Sequence, residues 1–332
     1  CALASVGRSP FTLAYFRCRT LARRVEELAD SEDYDAVFVS TAAMGPYARS
    51  VRAPRLLDLM DADSDKWRRL SEVSPIPKRW IYGLEAERMR TLESDLIAES
   101  HRSFVVNGRE RERLDQRSSA RIDVLSNGAP EQLPGLAEIE KTPDPTVIFV
   151  GTMSYQPSVD AVCYFAHEIL PLLRERYPAL EFWIVGRSPK PEVVRLQELP
   201  GVVVTGTVPT VENFLRRAWI FVAPHRVAPG LQNKILEAMQ AGLPVVCSQD
   251  CLVGLAEGGF ESGRDLFCAE TPSDWEIAVS SLIEMPELRD SMADAAVEKL
   301  RTTYSWERVG DQLEETLSTL TSVPGTAAHT QP

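Results

Sequence analysis

No apolar run in this 332-residue chain approaches the roughly 18 residues that would span a bilayer, so the sequence predicts a soluble protein. Basic charge is also scarce. Against 48 Asp and Glu stand 36 Lys and Arg, a net charge of -12, which disfavours the basic face that nucleic-acid phosphates require. The six cysteines form no CxxC and no Cys/His spacing suited to a metal, so no metal site is expected. Cys163, Cys247 and Cys268 lie in apolar runs, where a reduced thiol behaves as a small hydrophobe, and this fits a cytoplasmic compartment. Cys247 and Cys251 could pair only if the turn between them allowed it. HExxH and GxSxG are absent, which removes two familiar hydrolytic chemistries. Of the four histidines, His101, His167 and His329 lie in unrelated contexts. His225 alone sits in a loop placed to reach a ligand, and a lone loop histidine is more often structural than catalytic. No charged-apolar-small signal opens the chain, which starts at Cys1 and so reads as processed or as a fragment.

What is present is ordinary globular material: 44% apolar and 25% charged residues, on a length that allows two domains. The stretch "APEQLPGLAEIEKTPDPT" has four prolines and no apolar periodicity, and predicts a linker over residues 129–145. Before it run "DAVFVS", "PRLLDLM", "SFVV" and "RIDVLSN", with a long amphipathic stretch from Lys78 to Glu99. After it run "TVIFVG", "FWIVG", "VVVTG", "WIFVAP", "PVVCS" and "LFCA", each beside a helix-like segment. Short continuous apolar strands alternating with helices predict parallel sheets covered on both faces. The fold class is α/β, with two doubly wound Rossmann-like domains facing a cleft. Expected boundaries are 1–128 for an N-terminal domain, 146–303 for a C-terminal one, 304–322 for a helix returning to the first, and 323–332 for a disordered tail. Ligands in such sheets bind beyond the carboxyl ends of the strands, where Gly151, Gly186, Gly206 and Pro224 fall.

The stretch "PHRVAPGLQNKILEAMQAGLPVV" carries more polar chemistry at a helix start than sheet packing needs. The helix expected near Leu231 offers free N–H groups and a positive dipole end. Gly230 admits an anion close to the backbone, and Lys234 and Glu237 share one face while Ile235, Leu236 and Met239 face the sheet. A cation beside a phosphate, with a carboxylate one turn deeper for ribose hydroxyls, would suit a nucleoside diphosphate. A solvated Lys234–Glu237 ion pair is the competing reading. The loop "VGTMSYQPS", with Gly151, Thr152 and Ser154 before a helix expected near Ser158, points a second helix start at the same edge, and Arg187 adds a cation.

These segments, with "FVGTMSYQPSVDAV", "FWIVGRSP", "VVVTGTVPTVENFL" and the closing "YSWERV", resemble the donor-binding domain of glycosyltransferase family 4, of GT-B fold, from Val147 to about Leu317. "DLMDADSDKW" before a long helix, together with "GLQNK" before "LEAM", is similar to sugar transferases of exopolysaccharide and exosortase systems. The resemblance covers nearly the whole chain. It implies that Glu237, the last Glu of the family's Glu-x7-Glu motif, holds the ribose; Pro229 stands where the first Glu would be. It places Gly230, Leu231, Gln232 and the adjoining Asn233 in the loop under diphosphate and sugar, and the backbone near Val208 at the base pocket. The family's Arg/Lys pair is missing from "GTMSYQPS", which leaves diphosphate neutralisation to Arg226 and Lys234, helped by Arg187. Met60 replaces a His that often contacts sugar or acceptor, so Asp61 and Asp63 become candidates for that contact. Helix capping by Asp63 or Ser64 remains the alternative there. The DxD of metal-dependent transferases belongs to another fold, and Lys66 stands where a calcium loop needs Gly.

The resemblance thus implies retaining, metal-independent transfer from a nucleotide-diphosphate sugar to a saccharide or lipid-linked acceptor. No cofactor and no nucleic-acid partner is expected, and peripheral contact with the inner membrane face is allowed for. The first strands and Gly-rich loop of an N-terminal GT-B domain are not recognisable, so that domain is expected to be truncated. A catalytically weakened nucleotide-sugar binder and a sugar-nucleotide epimerase are the competing functions.

Overall fold

A computed structural model of the chain describes residues 9–114, 122–129, 140–228 and 230–321. Most of the expected linker (130–139), the expected tail 323–332, the first eight residues and Pro229 lie outside the described residues. Two units are distinguished: one of residues up to Ser126 together with those from Val309, the other Asn127–Arg308.

The first unit holds a parallel sheet of β1 (Val37–Ser40), β2 (Arg55–Met60), β3 (Arg102–Val105) and β4 (Ile122–Val124), in that order. Val39, Leu57, Leu59 and Val105 meet Met89, Leu92 and Leu96 of the helix Lys78–Glu99 in its core. On the other face Leu56, Phe104 and Leu125 receive Val309, Leu313, Leu317 and Leu320 of the C-terminal helix Trp306–Thr321. Spacing of three and four residues puts those four side chains on one stripe. Gln312 fastens the helix by donating to the Val124 carbonyl at 2.8 Å.

The long helix departs from the simple amphipathic pattern. Its second half buries Met89, Leu92 and Leu96, but Trp80, Ile81 and Leu84 are exposed. It also buries two carboxylates, Glu85 and Glu93, that act as distant helix caps. Glu85 accepts from the Phe11 and Thr12 N–H groups at 2.7 and 2.8 Å. Glu93 accepts from the Ser64 N–H at 3.0 Å and its hydroxyl at 2.5 Å. Orphan first-turn donors are thus satisfied from another helix. Capping by Asp63 or Ser64 is therefore corrected: no side chain of the helix's own N-terminus caps Asp63–Val73, and Glu93 supplies the acceptor.

The second unit is a six-stranded parallel sheet, ordered β10 (Phe267–Cys268), β9 (Val245–Cys247), β8 (Ile220–Ala223), β5 (Thr146–Val150), β6 (Glu181–Val185), β7 (Val202–Gly206). Every residue of β5 and β8 is buried, which explains their uninterrupted apolar runs. Phe165, Phe182 and Trp275 fill one large core face, and the helix Pro272–Glu284 enters it behind a Thr271/Asp274 capping box. The chain runs from β5 outward to β6 and β7, then returns to lay β8 on the other side of β5. The strand order therefore reverses between β5 and β8, the place where an open α/β sheet leaves a crevice at its carboxyl edge.

Candidate functional site

A cavity of about 400 Å³ occupies that reversal point. From the β5 side it is lined by Val150, Gly151, Thr152, Tyr155 and Ser158; from the β8 side by Phe221, Ala223, His225, Gln232, Lys234 and Ile235. The volume lies within the range of small-molecule sites.

The β5 loop is held against the β6 loop by backbone hydrogen bonds. Gly151 N–H donates to Val185 O at 3.1 Å, Met153 N–H to Arg187 O at 2.9 Å, and Lys190 N–H to Met153 O at 3.2 Å. Gly186 makes this approach possible, because a Cβ there would stand 1.7 Å from the Gly151 carbonyl oxygen. From this braced loop the helix Gln156–Tyr164 starts without a side-chain cap. Across the crevice Asn233–Gln240 also starts without one. Two positive helix ends border one cavity.

The second helix begins at Asn233 rather than near Leu231. Gly230 takes φ +60 and Leu231 is buried in the preceding loop, so the helical path is entered two residues later. Ile235, Leu236 and Met239 are buried beneath it. Lys234 Nζ donates to both Glu237 oxygens, at 2.6 and 2.7 Å, with the Lys and Glu side chains 44% and 29% exposed. The pair is partly exposed, and its cation lines the cavity.

Of the residues singled out from sequence, the cavity brings together Gly151, Thr152, Gln232 and Lys234. Ser154, Gly230, Leu231, Asn233 and Glu237 adjoin it in the same loops without lining it; Asn233 accepts a hydrogen bond from Asn127 at 2.9 Å. Arg187 is exposed on the β6 loop and Val208 half-buried after β7. Arg226 is 61% exposed at its side chain, forms a two-pronged ion pair with Asp160 and lies 5.5 Å over the Tyr164 ring. Neither Arg187 nor Arg226 lines the cavity, so among the described residues Lys234 is the cation that does.

Asp61 and Asp63 belong to the first unit, at the carboxyl end of β2. Asp63 pairs with Lys66 and lines a separate cavity of about 530 Å³ with Phe11, Thr12, Tyr15, Phe16, Thr41, Ala43, Lys66 and Trp67. Enclosure, then the nearby Glu110 and Asp63 charges, push the Asp61 carboxyl up to about 7.

Sequence reasoning missed Tyr155 and Ser158 as lining residues and undervalued His225. The last is buried against Phe149, and its Nδ1 lies 3.6 Å from Cys251 Sγ. Both Cys247 and Cys251 are free thiols. Burial depresses the His225 pKa to about 4, against a smaller opposing contribution from a hydrogen bond to Ala223. The folded imidazole is thus neutral where an unfolded one, near its ordinary 6.5, begins to take a proton. Stability from this group is complete above the unfolded pKa and is lost as pH falls toward 4, by about 3 kcal/mol in all. The expected result is that His225→Leu flattens the loss of stability between pH 6.5 and 4.5 in urea titrations. A slope unchanged from the parent would refute the assignment.

The family described as Glycosyl transferases group 1 matches residues 144–285. A search of curated proteins finds no match. Among solved structures, TarM superposes with a TM-score of 0.71 at 16% identity, covering 90% of this chain and 57% of its own. Sucrose-phosphate synthase of Thermosynechococcus elongatus superposes at 0.69 with 15% identity, over 91% of this chain and 78% of its own. HepE of Anabaena, solved with UDP-glucose, superposes at 0.64 with 16% identity, over 90% of this chain and 82% of its own. This chain therefore spans just over half the length of TarM. It resembles the GT-B glycosyltransferases and shares their fold of two Rossmann-like domains.

Proposed function

We propose that this chain, whose residues 144–285 match the group 1 glycosyl transferases, transfers a sugar from a nucleotide-diphosphate donor held at the β5/β8 reversal point. The observation that carries the reading is the cavity itself: among the described residues a braced Gly151 loop, two helix starts without a side-chain cap and the side chain of Lys234 border the same space. HepE was solved with UDP-glucose, and a form of S. aureus TarM with UDP, which makes a UDP-sugar the first donor to try.

The difficult part of such a transfer is the charge gathered on the departing diphosphate. Helix ends and a fixed cation meet that charge without rearranging as the bond lengthens. Lys234 donates to both carboxylate oxygens of Glu237. A diphosphate entering between the helix starts competes for the ammonium, and Glu237 is then released to accept from the ribose hydroxyls. Retention at the anomeric carbon and independence of metal belong to this reading, as does work in the cytoplasm on an exopolysaccharide or another cell-surface glycan. Arg226 and Arg187 are second-rank cations in it. The first-unit cavity, with Asp63 beside Trp67, Tyr15 and Phe16, suits a saccharide acceptor, whose hydroxyls the carboxylate would take and whose apolar faces the rings would cover. A lipid-linked acceptor would bring the protein to the membrane face, although among the described residues no helix is long and apolar enough to cross a membrane.

Thermal unfolding with UDP, GDP and ADP should show one diphosphate raising Tm with saturation, and radiolabelled sugar nucleotides of that base should yield product. Absence of any shift across the three would refute donor binding. A shift without product from any sugar would instead favour the binding-only reading, which the proline at position 229 makes worth separating.

A further inference from the structure

Two neutral polar side chains, Ser158 and His225, line the cavity at the β5/β8 reversal point and carry no charge to set against a diphosphate. Ser158 is 5% exposed, and its hydroxyl makes no hydrogen bond among the described residues. A buried hydroxyl left unpaired opposes folding, and the open space in front of this one is the cavity. His225 is 7% exposed. The walls beside the two are apolar, made of Val150, Phe221, Ala223 and Ile235.

Both side chains stand beside one ring. The Phe149 and His225 ring centroids are 5.3 Å apart. A methyl group on Gly151 would meet Phe149 Cε1 at 3.0 Å and Ser158 Oγ at 3.1 Å, which puts that oxygen at the same ring. The other edge of the imidazole is already engaged. Its Nδ1 lies 3.6 Å from Cys251 Sγ, which is itself 3.7 Å from the Ala223 carbonyl oxygen. The imidazole hydrogen-bonds to that carbonyl. A carbonyl oxygen only accepts, which assigns the ring hydrogen to Nδ1, and a neutral imidazole carries a single one. Nε2 is thereby a bare acceptor, on the ring edge turned from Cys251 and left to the cavity.

We propose that Ser158 and His225 together read one hydroxyl of the nucleotide-sugar donor. Nε2 accepts the hydrogen of that hydroxyl, and Ser158 Oγ donates its own hydrogen to the same oxygen. This rests on the donor reading above and adds to it the side chains that recognise an uncharged part of the ligand. An alcohol both gives and takes a hydrogen bond at one atom, as this pair requires. A diphosphate oxygen only takes, and the Nε2 lone pair would turn it away. The pair thus sorts the two ends of a donor: Lys234 and the helix starts favour charge, whereas Ser158 and Nε2 favour an alcohol. Apolar neighbours keep water from competing for either bond. A hydroxyl of the transferred sugar and one of the ribose are the two sources, and the test separates them.

The test is calorimetric titration of the whole chain with UDP, GDP and ADP and with the glucose conjugate of each. Ser158→Ala, His225→Asn and the double variant are titrated beside the parent. Asn puts an amide nitrogen where Nδ1 was, keeping the donation to Ala223, and puts nothing in the place of Nε2. Ser158→Ala removes a hydroxyl with no partner to lose, so its Tm should equal or exceed the parent's. Each single variant should bind the conjugate about five- to tenfold more weakly. The double variant should lose less than the product of the two, because both groups hold one hydroxyl. A loss confined to the conjugate places that hydroxyl on the transferred sugar; the same loss with the diphosphate alone places it on the ribose. Conjugate affinity within about twofold of the parent's in both single variants would overturn the inference and spare the donor site, provided that the parent binds a diphosphate. Independent losses that multiply, or a Ser158→Ala chain of lower Tm, would overturn it too. If His225→Asn does not fold, Ser158→Ala decides by the same thresholds. A parent that binds none of the three diphosphates refutes the donor reading and this one with it.

Discussion

Replacing Lys234 by Ala is expected to lower sugar transfer by about a hundred- to a thousandfold, the usual effect of deleting one preorganised group that meets developing charge. The structure makes this sharper than a generic active-site substitution, because Lys234 faces the cavity while its ammonium is held by both oxygens of Glu237. In the unliganded protein the loss should be small. A pair this exposed, on one helix at a separation of three, contributes about 0–1 kcal/mol, so the variant's Tm should barely move. The ligand-dependent part should vanish, with the diphosphate no longer raising Tm. The two readings of the pair thus separate: a merely structural pair would show its whole effect without ligand, whereas a diphosphate cation shows almost all of it with ligand. Glu237→Gln completes the comparison. It frees the ammonium but leaves only an amide for the ribose, so nucleotide binding should weaken while pyrophosphate alone binds as well or better. Transfer by the Lys234→Ala chain within a few fold of the parent would end the proposed role.

The sheets were legible in the sequence because parallel strands buried on both faces leave uninterrupted runs such as "TVIFV" and "IFVA", and these cannot be mistaken for exposed polar surface. The glycines ending those runs marked the carboxyl edge, and the polar helix start after β8 marked the part of that edge where the cavity lies. Less visible were groups whose partners are remote in the chain. Nothing near Ser64 announces Glu93, 29 residues on, as its cap, and nothing near Phe11 announces Glu85. The exposed Trp80, Ile81 and Leu84 and the buried Met89, Leu92 and Leu96 are all apolar positions of one helix. Periodicity fixes which face is apolar but not what, if anything, covers it. His225 illustrates a different limit. A single histidine has no spacing to read, and only its burial between Phe149 and Cys251 shows a neutral imidazole at the cavity wall. Tyr155 and Ser158 are within reach of sequence, since the residues four and seven beyond Gly151 fall on the cap and first turn of the helix that follows the loop.

Gly186→Ala should be the most damaging single methyl group that could be added to the second unit's edge. The new Cβ would be placed 1.7 Å from the Gly151 carbonyl oxygen and 2.9 Å from its carbon, and backbone cannot swing aside as a long side chain can. One of the two loops must retreat by more than an ångström, which breaks some of the three backbone hydrogen bonds joining them. Overpacking of this kind costs about 3 kcal/mol, and the backbone at φ +156 adds strain for any residue with a side chain. Retreat of the β5 loop would also carry Gly151 and Thr152 out of the cavity wall and tilt the start of Gln156–Tyr164. Diphosphate binding should therefore fall further than stability alone explains, even at temperatures where the variant is fully folded. Gly206→Ala is the matched control: it ends β7 at φ +67 with open space around its missing Cβ, so it should share the strain and lack the collision. Comparing the two by urea unfolding and by nucleotide titration isolates the contact between the loops. Equal losses in both variants would mean that backbone conformation alone, and not the approach of the β5 and β6 loops, shapes this edge of the cavity.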